Sequence, residues 1–270
     1  MPSRRHVLIG AGVLAATGTL PAAVHPTAVA PVLAVPPGRA DGDAVAARLG
    51  AHLLVHEDPI GAVQEGSADA AYAGHGAWRA APPAFALFGG LPAGMPAAER
   101  DAWLADPAGR AAWNLAHAAC GLASLPLPDP APLAIVADRN LDSVPALSSA
   151  SIAAPPCTNS FWSVFGTTLV GSGGLGSRPV RYIDDAAAAP IALVWRADRP
   201  PPFGEATRNI PPLGGGGWSP APALPLEARI AIGNAAATWV EALAGSDVPW
   251  QRIVCAAFRQ TRTPAFPGTV

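Results

Sequence analysis

Lysine is absent from this sequence, and all 17 basic residues are arginines. The chain therefore has neither a Schiff-base lysine nor the lysine of a phosphate-binding loop, and chemistry that depends on either is excluded. Charged residues make up only 13% of the chain, and the formal net charge is −2. Because the arginines form no basic cluster, this balance argues against nucleic acid as a partner.

Cysteines and long apolar runs are also scarce. The chain has 3 cysteines, Cys120, Cys157 and Cys255, and their spacing matches no metal site. In an oxidising compartment they could form one disulfide with one thiol left over, but buried free thiols are the interpretation we favour. After the N-terminus, no stretch is long and apolar enough to span a bilayer.

Motifs for catalysis are missing as well. There is no G-x-S-x-G nucleophile elbow and no H-E-x-x-H zinc motif. The glycine-rich run of residues 171–176 lacks a lysine and opens no helix, so it predicts a loop and not a phosphate site. The neighbouring Asp184 and Asp185 would point to opposite faces of a strand, and we expect a solvated turn there. The sequence thus predicts a non-enzyme without metal or cofactor.

What the chain has in abundance is apolar, glycine and proline residues. Half of its 270 residues are hydrophobic, and it contains 32 prolines and 28 glycines. This length allows one large domain or two lobes with a sizeable core. The many glycines and prolines predict short elements joined by many loops.

The first 30 residues predict an export signal. Arg4 and Arg5 directly precede an apolar run at residues 7–20, and small residues follow. This arrangement resembles a twin-arginine signal. The alternative is a membrane anchor, but the run is shorter than the roughly 20 residues that span a bilayer. We expect the mature protein to be periplasmic.

The next stretch alternates between strand and helix patterns. Strands are predicted at residues 32–35, 52–56 and 69–72, with helices ending near Leu49 and at residues 60–65. This β-α-β-α-β alternation is typical of an α/β lobe with a largely parallel sheet. It sets the predicted fold class as α/β.

A glycine-flanked loop and several aromatic residues follow the third strand. The loop is Gly74-His75-Gly76, and Trp78, Phe85 and Phe88 come soon after it. Such residues could line a small-molecule cleft or could simply form core. The general burial tendency of aromatic side chains favours core.

Further elements can be placed along the chain. A helix from Pro96 through Trp103 should break at residues 106–109, resume at 110–120 and end at Gly121. Later strands are predicted at residues 133–137, 180–183 and 191–195.

These motifs occur in an order that resembles the solute receptors of tripartite ATP-independent periplasmic (TRAP) transporters. In that family, a G-x-x-D strand is followed by a ligand loop. A segment that ends in Phe and a segment that ends in Gly-Met come next, and a helix with a Trp near its start follows them. The matching residues here are Gly66 to Asp69, Gly74-His75 with Trp78, residues 83–88, residues 91–95, and Glu99-Arg100 before Trp103.

A second set of matches lies near the C-terminus. Gly217-Trp218-Ser219-Pro220 resembles the family's G-W-H-E-P, and residues 251–257 resemble its Q-x-I-V-x-A-A. The chain stops soon afterwards, so the resemblance is to a divergent and C-terminally short member.

The resemblance implies a periplasmic-binding-protein-like architecture, with two α/β lobes, hinge strands and a cleft between the lobes. Residues 31–139 would form the first lobe, 140–216 the second, and 217–270 a return segment with the C-terminal helix. The protein would capture a small solute, with a carboxylate expected, for the integral membrane subunits of a TRAP-type transporter.

The ligand-binding candidates come from both predicted lobes. His75 and Trp78 would belong to the first-lobe loop, and Trp195 and Trp218 to the second side of the cleft. The family usually holds the ligand carboxylate with an arginine, whereas residues 151–156 contain none. Arg178 is a candidate replacement, because a guanidinium can hold a carboxylate with two parallel bonds.

Two other functions stay open. Residues 128–136 lack the family's glutamine, and residues 192–195 keep its Trp but not its Glu. These losses favour an exported structural or sensory protein that has kept the receptor fold and lost ligand binding. The third hypothesis is an envelope hydrolase, which is the least favoured because the sequence contains no catalytic motif.

Overall fold

The computed structural model describes residues 29–88, 90–92, 94–127, 132–171, 174–188, 191–204, 206, 210 and 223–261, with backbone alone at 132–134, 183–188 and 261. The predicted export signal lies almost wholly outside the described residues, and so does Trp218.

The N-terminal region forms the expected parallel sheet. Strand β1 (Val32–Val35) pairs in parallel with β2 (His52–Val55) on one side and with β3 (Ala70–Gly74) on the other. Helices α1 (Gly42–Leu49) and α2 (Pro59–Glu65) connect these strands. The β-α-β-α-β prediction is therefore confirmed.

Local chemistry fixes where helix α2 begins and ends. The Asp58 carboxylate accepts a hydrogen bond from the Gly61 N–H at 3.0 Å, and Pro59 occupies the first turn, where its missing N–H costs nothing. Gly66 ends the helix with a left-handed φ of 82°. This short helix delivers the chain to β3.

Two antiparallel strands complete the first sheet. Strand β4 (Leu122–Leu127) lies at its edge and pairs with β9 (Ile191–Arg196), which pairs with β3. The order is β2-β1-β3-β9-β4. The sequence did not predict β4, because Pro126 interrupts its pattern. An edge strand tolerates a proline, since one side of it needs no ladder donors.

The second sheet is formed by four strands in the order β7-β6-β5-β8. They are β5 (Pro132–Ala137), β6 (Ser151–Ala153), β7 (Thr168–Leu169) and β8 (Val180–Ala188), and helices α5 (Val144–Ser149) and α6 (Asn159–Trp162) lie between them. The turn expected at Asp184 and Asp185 is wrong. Both lie within β8, where Asp184 pairs with Leu133, because pairing with β5 overrides the weak strand preference of aspartate.

The chain crosses between the sheets twice. It passes from the first sheet to the second between β4 and β5, and it returns between β8 and β9. The predicted lobe boundaries follow chain order, whereas the sheets exchange strands across them. Strand β9 lies within residues 140–216 yet occupies the first sheet, since its apolar residues fill the position between β3 and β4.

Longer helices pack around this framework. They are α3 (Ala97–Ala105), α4 (Pro107–Ala119), α7 (Leu226–Ala244) and α8 (Pro249–Thr261). The predicted break between α3 and α4 is present but is confined to Asp106, so α4 begins at Pro107 and not at residue 110 as expected. Asp106 caps α4 by accepting a hydrogen bond from Ala108 N–H at 2.8 Å. Among the described helices, none combines the length and apolarity needed to cross a bilayer.

Each face of the first sheet contributes to a different hydrophobic cluster. Leu33 and Tyr72 pack with α1 on one face, whereas Ala34 and Ala71 pack with α2 on the other. This separation follows from the alternation of side chains along a strand. The cluster on the α2 face also includes the aromatic residues after β3. Of these, Trp78, Phe85 and Phe88 are each no more than 1% exposed.

All three cysteines are free thiols. Cys157 and Cys255 are buried and Cys120 is half-buried. Burial raises the pKa of Cys120 to about 11 and that of Cys157 to about 12. These thiols are therefore protonated at neutral pH and act as small apolar groups.

Candidate functional site

A cavity of about 750 Å³ opens between the two lobes. Glu57, Gly76, Ala77 and Arg79 line it from the first lobe. The second lobe contributes residues 153–156, Asn159 and residues 169–171. Most of the lining therefore lies at or shortly after the ends of strands of the two sheets.

The position of the cavity follows from the strand directions. Strands β2 and β3 run parallel to β1 on either side of it, so all three end at the same edge of the sheet. Glu57 follows β2, and Arg79 follows the 3₁₀ turn His75–Ala77 after β3. Small molecules bind α/β sheets in the crevice at the carboxyl ends of strands. This edge is thus the expected place for a ligand site.

The polar chemistry of the cavity is unevenly divided. The two charged side chains among the described lining residues, Glu57 and Arg79, belong to the first lobe and are exposed to solvent. The second lobe offers the Asn159 amide among alanine, proline, leucine, valine and glycine residues. A carboxylate could bind Arg79 in two parallel bonds, and a cationic group could bind Glu57.

Two glycines let the lobes approach each other closely beside the cavity. A Cβ added at Gly76 would lie 3.2 Å from Pro155 Cγ, and one added at Gly90 would lie 3.4 Å from the same atom. Real Cβ contacts are seldom so short. The absence of side chains at these two positions therefore seats Pro155 of the second lobe against the first.

His75 forms a buried histidine pair behind the cavity wall. Its Nε2 lies 2.9 Å from Nε2 of His117, and His117 Nδ1 lies 2.8 Å from the Trp113 carbonyl oxygen. Because a carbonyl only accepts, His117 Nδ1 must donate, and its Nε2 then accepts from His75 Nε2–H. His75 Nδ1 is left buried with no hydrogen-bond partner in the described structure.

Burial keeps both imidazoles neutral. It places the pKa of His75 well below its ordinary value of 6.5, and the nearby His117 lowers it further. Burial also lowers the pKa of His117 to about 4, although the hydrogen bond to the Trp113 carbonyl opposes this shift. Rings of Phe85 and Phe88 pack around His75 with centroids 4.9 and 6.3 Å away. The pair is a neutral part of the core at pH 7.

Trp78 also faces the interior. Its ring packs edge-on against Phe85 with centroids 5.0 Å apart, and its Nε1–H donates to Gln64 Oε1 at 3.1 Å. The loop predicted to bind ligand therefore borders the cavity through Gly76, Ala77 and Arg79. The side chains of His75 and Trp78 hold that loop in place from behind.

The remaining predicted residues lie apart from this loop. Trp195 is half-buried on β9, where it pairs with Ala70 at the start of β3 and packs on the α1 face of the sheet. Arg178 is exposed before β8. Of the four predicted ligand residues that the structure describes, none lines the cavity.

Sequence reasoning did not identify Glu57, Arg79 or Asn159. The available signal was position: Glu57 and Arg79 follow strands that could be read as parallel, and such strand ends converge. Asn159 carried no such signal, because α6 is short and its neighbours are rich in proline.

No family model and no curated protein matches this sequence, but known protein structures match its fold. A TRAP transporter solute-binding protein from Bordetella bronchiseptica, with calcium and picolinate bound, aligns with a TM-score of 0.63 at 13% identity, covering 86% of this chain and 91% of that one. A TRAP periplasmic solute-binding protein from Pseudoalteromonas atlantica, with sodium and pyruvate bound, aligns with a TM-score of 0.61 at 12% identity, covering 86% and 93%.

The ectoine-binding protein of the Halomonas elongata TRAP transporter is similar as well, with a TM-score of 0.58 at 12% identity over 85% of this chain and 98% of that one. At such low identity these likenesses concern the fold. The chain thus has the periplasmic-binding-protein-like α/β fold of TRAP solute receptors, which confirms the expected architecture, in a divergent sequence.

Proposed function

We propose that this chain is the periplasmic solute-binding protein of a TRAP-type secondary transporter and not an enzyme. The main support is the cavity between the lobes, which opens at the carboxyl edge of the parallel strands and is lined by the exposed Arg79. A concave site with a few converging polar groups is the usual form of a small-molecule site. The similar structures named above are themselves solute receptors.

Binding would work by closure of the two lobes. The strands of each sheet belong to separate stretches of the chain, and two lobes connected in this way can close on a ligand by a hinge motion. The apolar second-lobe wall would then cover a solute held by Arg79 and Glu57, with Asn159 as a further hydrogen-bonding group. In this proposal Arg79 takes the role of carboxylate clamp that the sequence suggested for Arg178.

The cellular setting is part of the same proposal. The twin-arginine-like signal would export the chain to the periplasm, and closure would present the loaded receptor to the integral membrane subunits of the transporter. Trp218 lies outside the described residues, so its place in the cleft stays a prediction from the sequence.

A second candidate function is an exported structural or sensory protein with the receptor fold and no solute. It is favoured by the wall at residues 153–156, which contains no arginine and no other charge. The two candidates differ in whether any small solute stabilises the protein.

Thermal-shift screening of the mature protein against organic acids, amino acids and sugars separates them. A bound solute stabilises the fold by about 2.7 kcal/mol at a hundred times its dissociation constant. We expect at least one solute to raise the melting temperature. We also expect Arg79→Ala to abolish that shift and Arg48→Ala, an exposed arginine on α1, to preserve it. Absence of a shift with every solute class would contradict the receptor proposal.

A further inference from the structure

We propose that the solute is zwitterionic, with a carboxylate held by Arg79 and an ammonium or similar cationic group held by Glu57. This inference rests on the proposed function, because it names the ligand class of the same cleft. It differs from the sequence-based expectation of an organic acid, which concerned the carboxylate alone.

The first support is that both charges stand on one wall, apart from each other. Glu57 follows β2 and Arg79 follows the turn after β3, and β1 lies between these strands. Adjacent strands are about 4.8 Å apart, so the two strand ends are separated by about 10 Å. Within the described structure neither side chain forms an ion pair or a hydrogen bond. Two opposite charges are thus presented, unpaired, to the same cavity.

The second support is the neutrality of the opposite wall. Residues 153–156 and 169–171 carry no charge, and Asn159 offers only an amide. Among the described residues that line the cavity, the second lobe therefore has no ionic group that could neutralise Glu57 or Arg79 when it covers them. Within this lining, neutralisation comes from the solute, from a cation bound with it, or from the two side chains themselves.

Closure of the lobes would make the cleft select solutes by the charges that they carry. A simple carboxylate would pair with Arg79 but leave the Glu57 carboxylate covered by an apolar wall without a partner, and uncompensated burial of a charge is strongly unfavourable. A simple amine would leave Arg79 in the same situation. A zwitterion of matching length pairs with both groups, so the closed state contains no unpaired charge.

Two other arrangements would also balance the charges. Glu57 and Arg79 could pair directly on closure around a neutral solute. Alternatively, a cation could bind at Glu57 beside an anionic solute. The described residues contain no group of three or more His, Cys, Asp or Glu side chains suited to a metal, so a metal ion at Glu57 would need further oxygen ligands from the solute, from water or from carbonyl groups.

The experiment is isothermal titration of the mature protein with matched sets of solutes. Each set contains an ω-amino acid with its carboxylate and its amine, for example γ-aminobutyrate with butyrate and butylamine, in a series from glycine to ε-aminocaproate. We expect at least one amino acid to bind about 30-fold or more tightly than either matched compound, because each single-charge compound leaves one group unpaired. The length that binds best reports the span between Glu57 and Arg79.

Variants that each remove one charge test whether Glu57 binds the cationic group of the solute and Arg79 its carboxylate. We expect Glu57→Gln to weaken the amino acid and to strengthen the matched carboxylate, so that their affinities converge. Arg79→Gln should weaken the amino acid by about 30-fold or more and strengthen the matched amine, because no guanidinium is then left unpaired on closure. The controls Glu65→Gln and Arg48→Gln remove exposed charges outside the cavity lining and should change neither affinity. A gain of carboxylate affinity in Glu57→Gln is not an effect that misfolding could produce.

Three results would overturn the zwitterion proposal while leaving the receptor proposal intact. These are equal affinity for an amino acid and its carboxylate, tighter binding of a neutral polyol or sugar, and carboxylate binding that requires added Ca²⁺. If no anion, cation, zwitterion or neutral solute binds, the receptor proposal itself fails.

Discussion

At the scale of single residues, the buried histidine pair makes stability depend on pH. Both His75 and His117 have a pKa below the ordinary value of 6.5, so the unfolded chain binds protons more readily than the folded chain. Their contribution to stability is therefore complete above pH 6.5. It is lost as the pH falls from 6.5 towards the folded pKa of about 4 at His117.

We predict that the double variant His75→Phe/His117→Leu loses less stability on acidification than the wild type. In the wild type, the shift at His117 alone corresponds to about 3 kcal/mol between pH 6.5 and pH 4. Urea unfolding at a series of pH values measures the difference. His52→Gln removes an exposed histidine and should leave the wild-type slope unchanged. Equal slopes in the wild type and the double variant would contradict a neutral buried pair.

Residue roles were harder to predict than residue positions. The sequence placed His75 on a glycine-flanked loop after β3, and the loop indeed borders the cavity. The direction of its side chain depends on His117, which is 42 residues away in the chain. Such a long-range partner leaves no local pattern. Glu57 and Arg79 differ in this respect, because each follows a strand that the sequence already predicts to be parallel, and the ends of such strands converge.

At the scale of elements, the junction of α3 and α4 depends on one glycine. A Cβ at Gly109 would collide with the carbonyl oxygen of Trp103, which is backbone and cannot move aside easily. By contrast, a Cβ at Gly233 within α7 would meet no atom within 4 Å. The same substitution should therefore have opposite effects at the two sites.

We predict that Gly109→Ala destabilises the protein by about 1–3 kcal/mol through overpacking. Gly233→Ala should stabilise it by about 0.5–1 kcal/mol, because alanine restricts the unfolded chain and favours helix. Chemical denaturation of both variants at neutral pH measures these changes. A stable Gly109→Ala protein would show that the close packing of α3 on α4 is not required.

Elements with a strong local pattern could be predicted, and those set by tertiary context could not. The alternation of β1, α1, β2, α2 and β3 was readable from apolar periodicity and turn residues. Strand β4 was missed because Pro126 resembles a strand breaker until its edge position is known. Asp184 and Asp185 resembled a turn because their place in β8 is imposed by β5.

At the scale of the whole molecule, the fold was predictable from the order of motifs, although the similar structures share only 12–13% of their residues with this chain. Glycines, prolines and aromatic residues at fixed points constrain turns and core, and these constraints persist when most other residues change. The cleft chemistry is not constrained in this way, because ligand groups can move to other strand ends while the fold is kept. In the proposed site, charged side chains lie at Glu57 and Arg79, and residues 153–156 carry none.

Hydrogen–deuterium exchange of the mature protein tests most directly whether both lobes close on a solute. The protein would be compared with and without the solute that gives the largest thermal shift. We predict slower exchange in peptides covering residues 76–79 of the first lobe and residues 153–159 of the second, since closure buries both walls of the cavity together. Protection of only one wall, or protection confined to residues outside the cavity, would contradict the account.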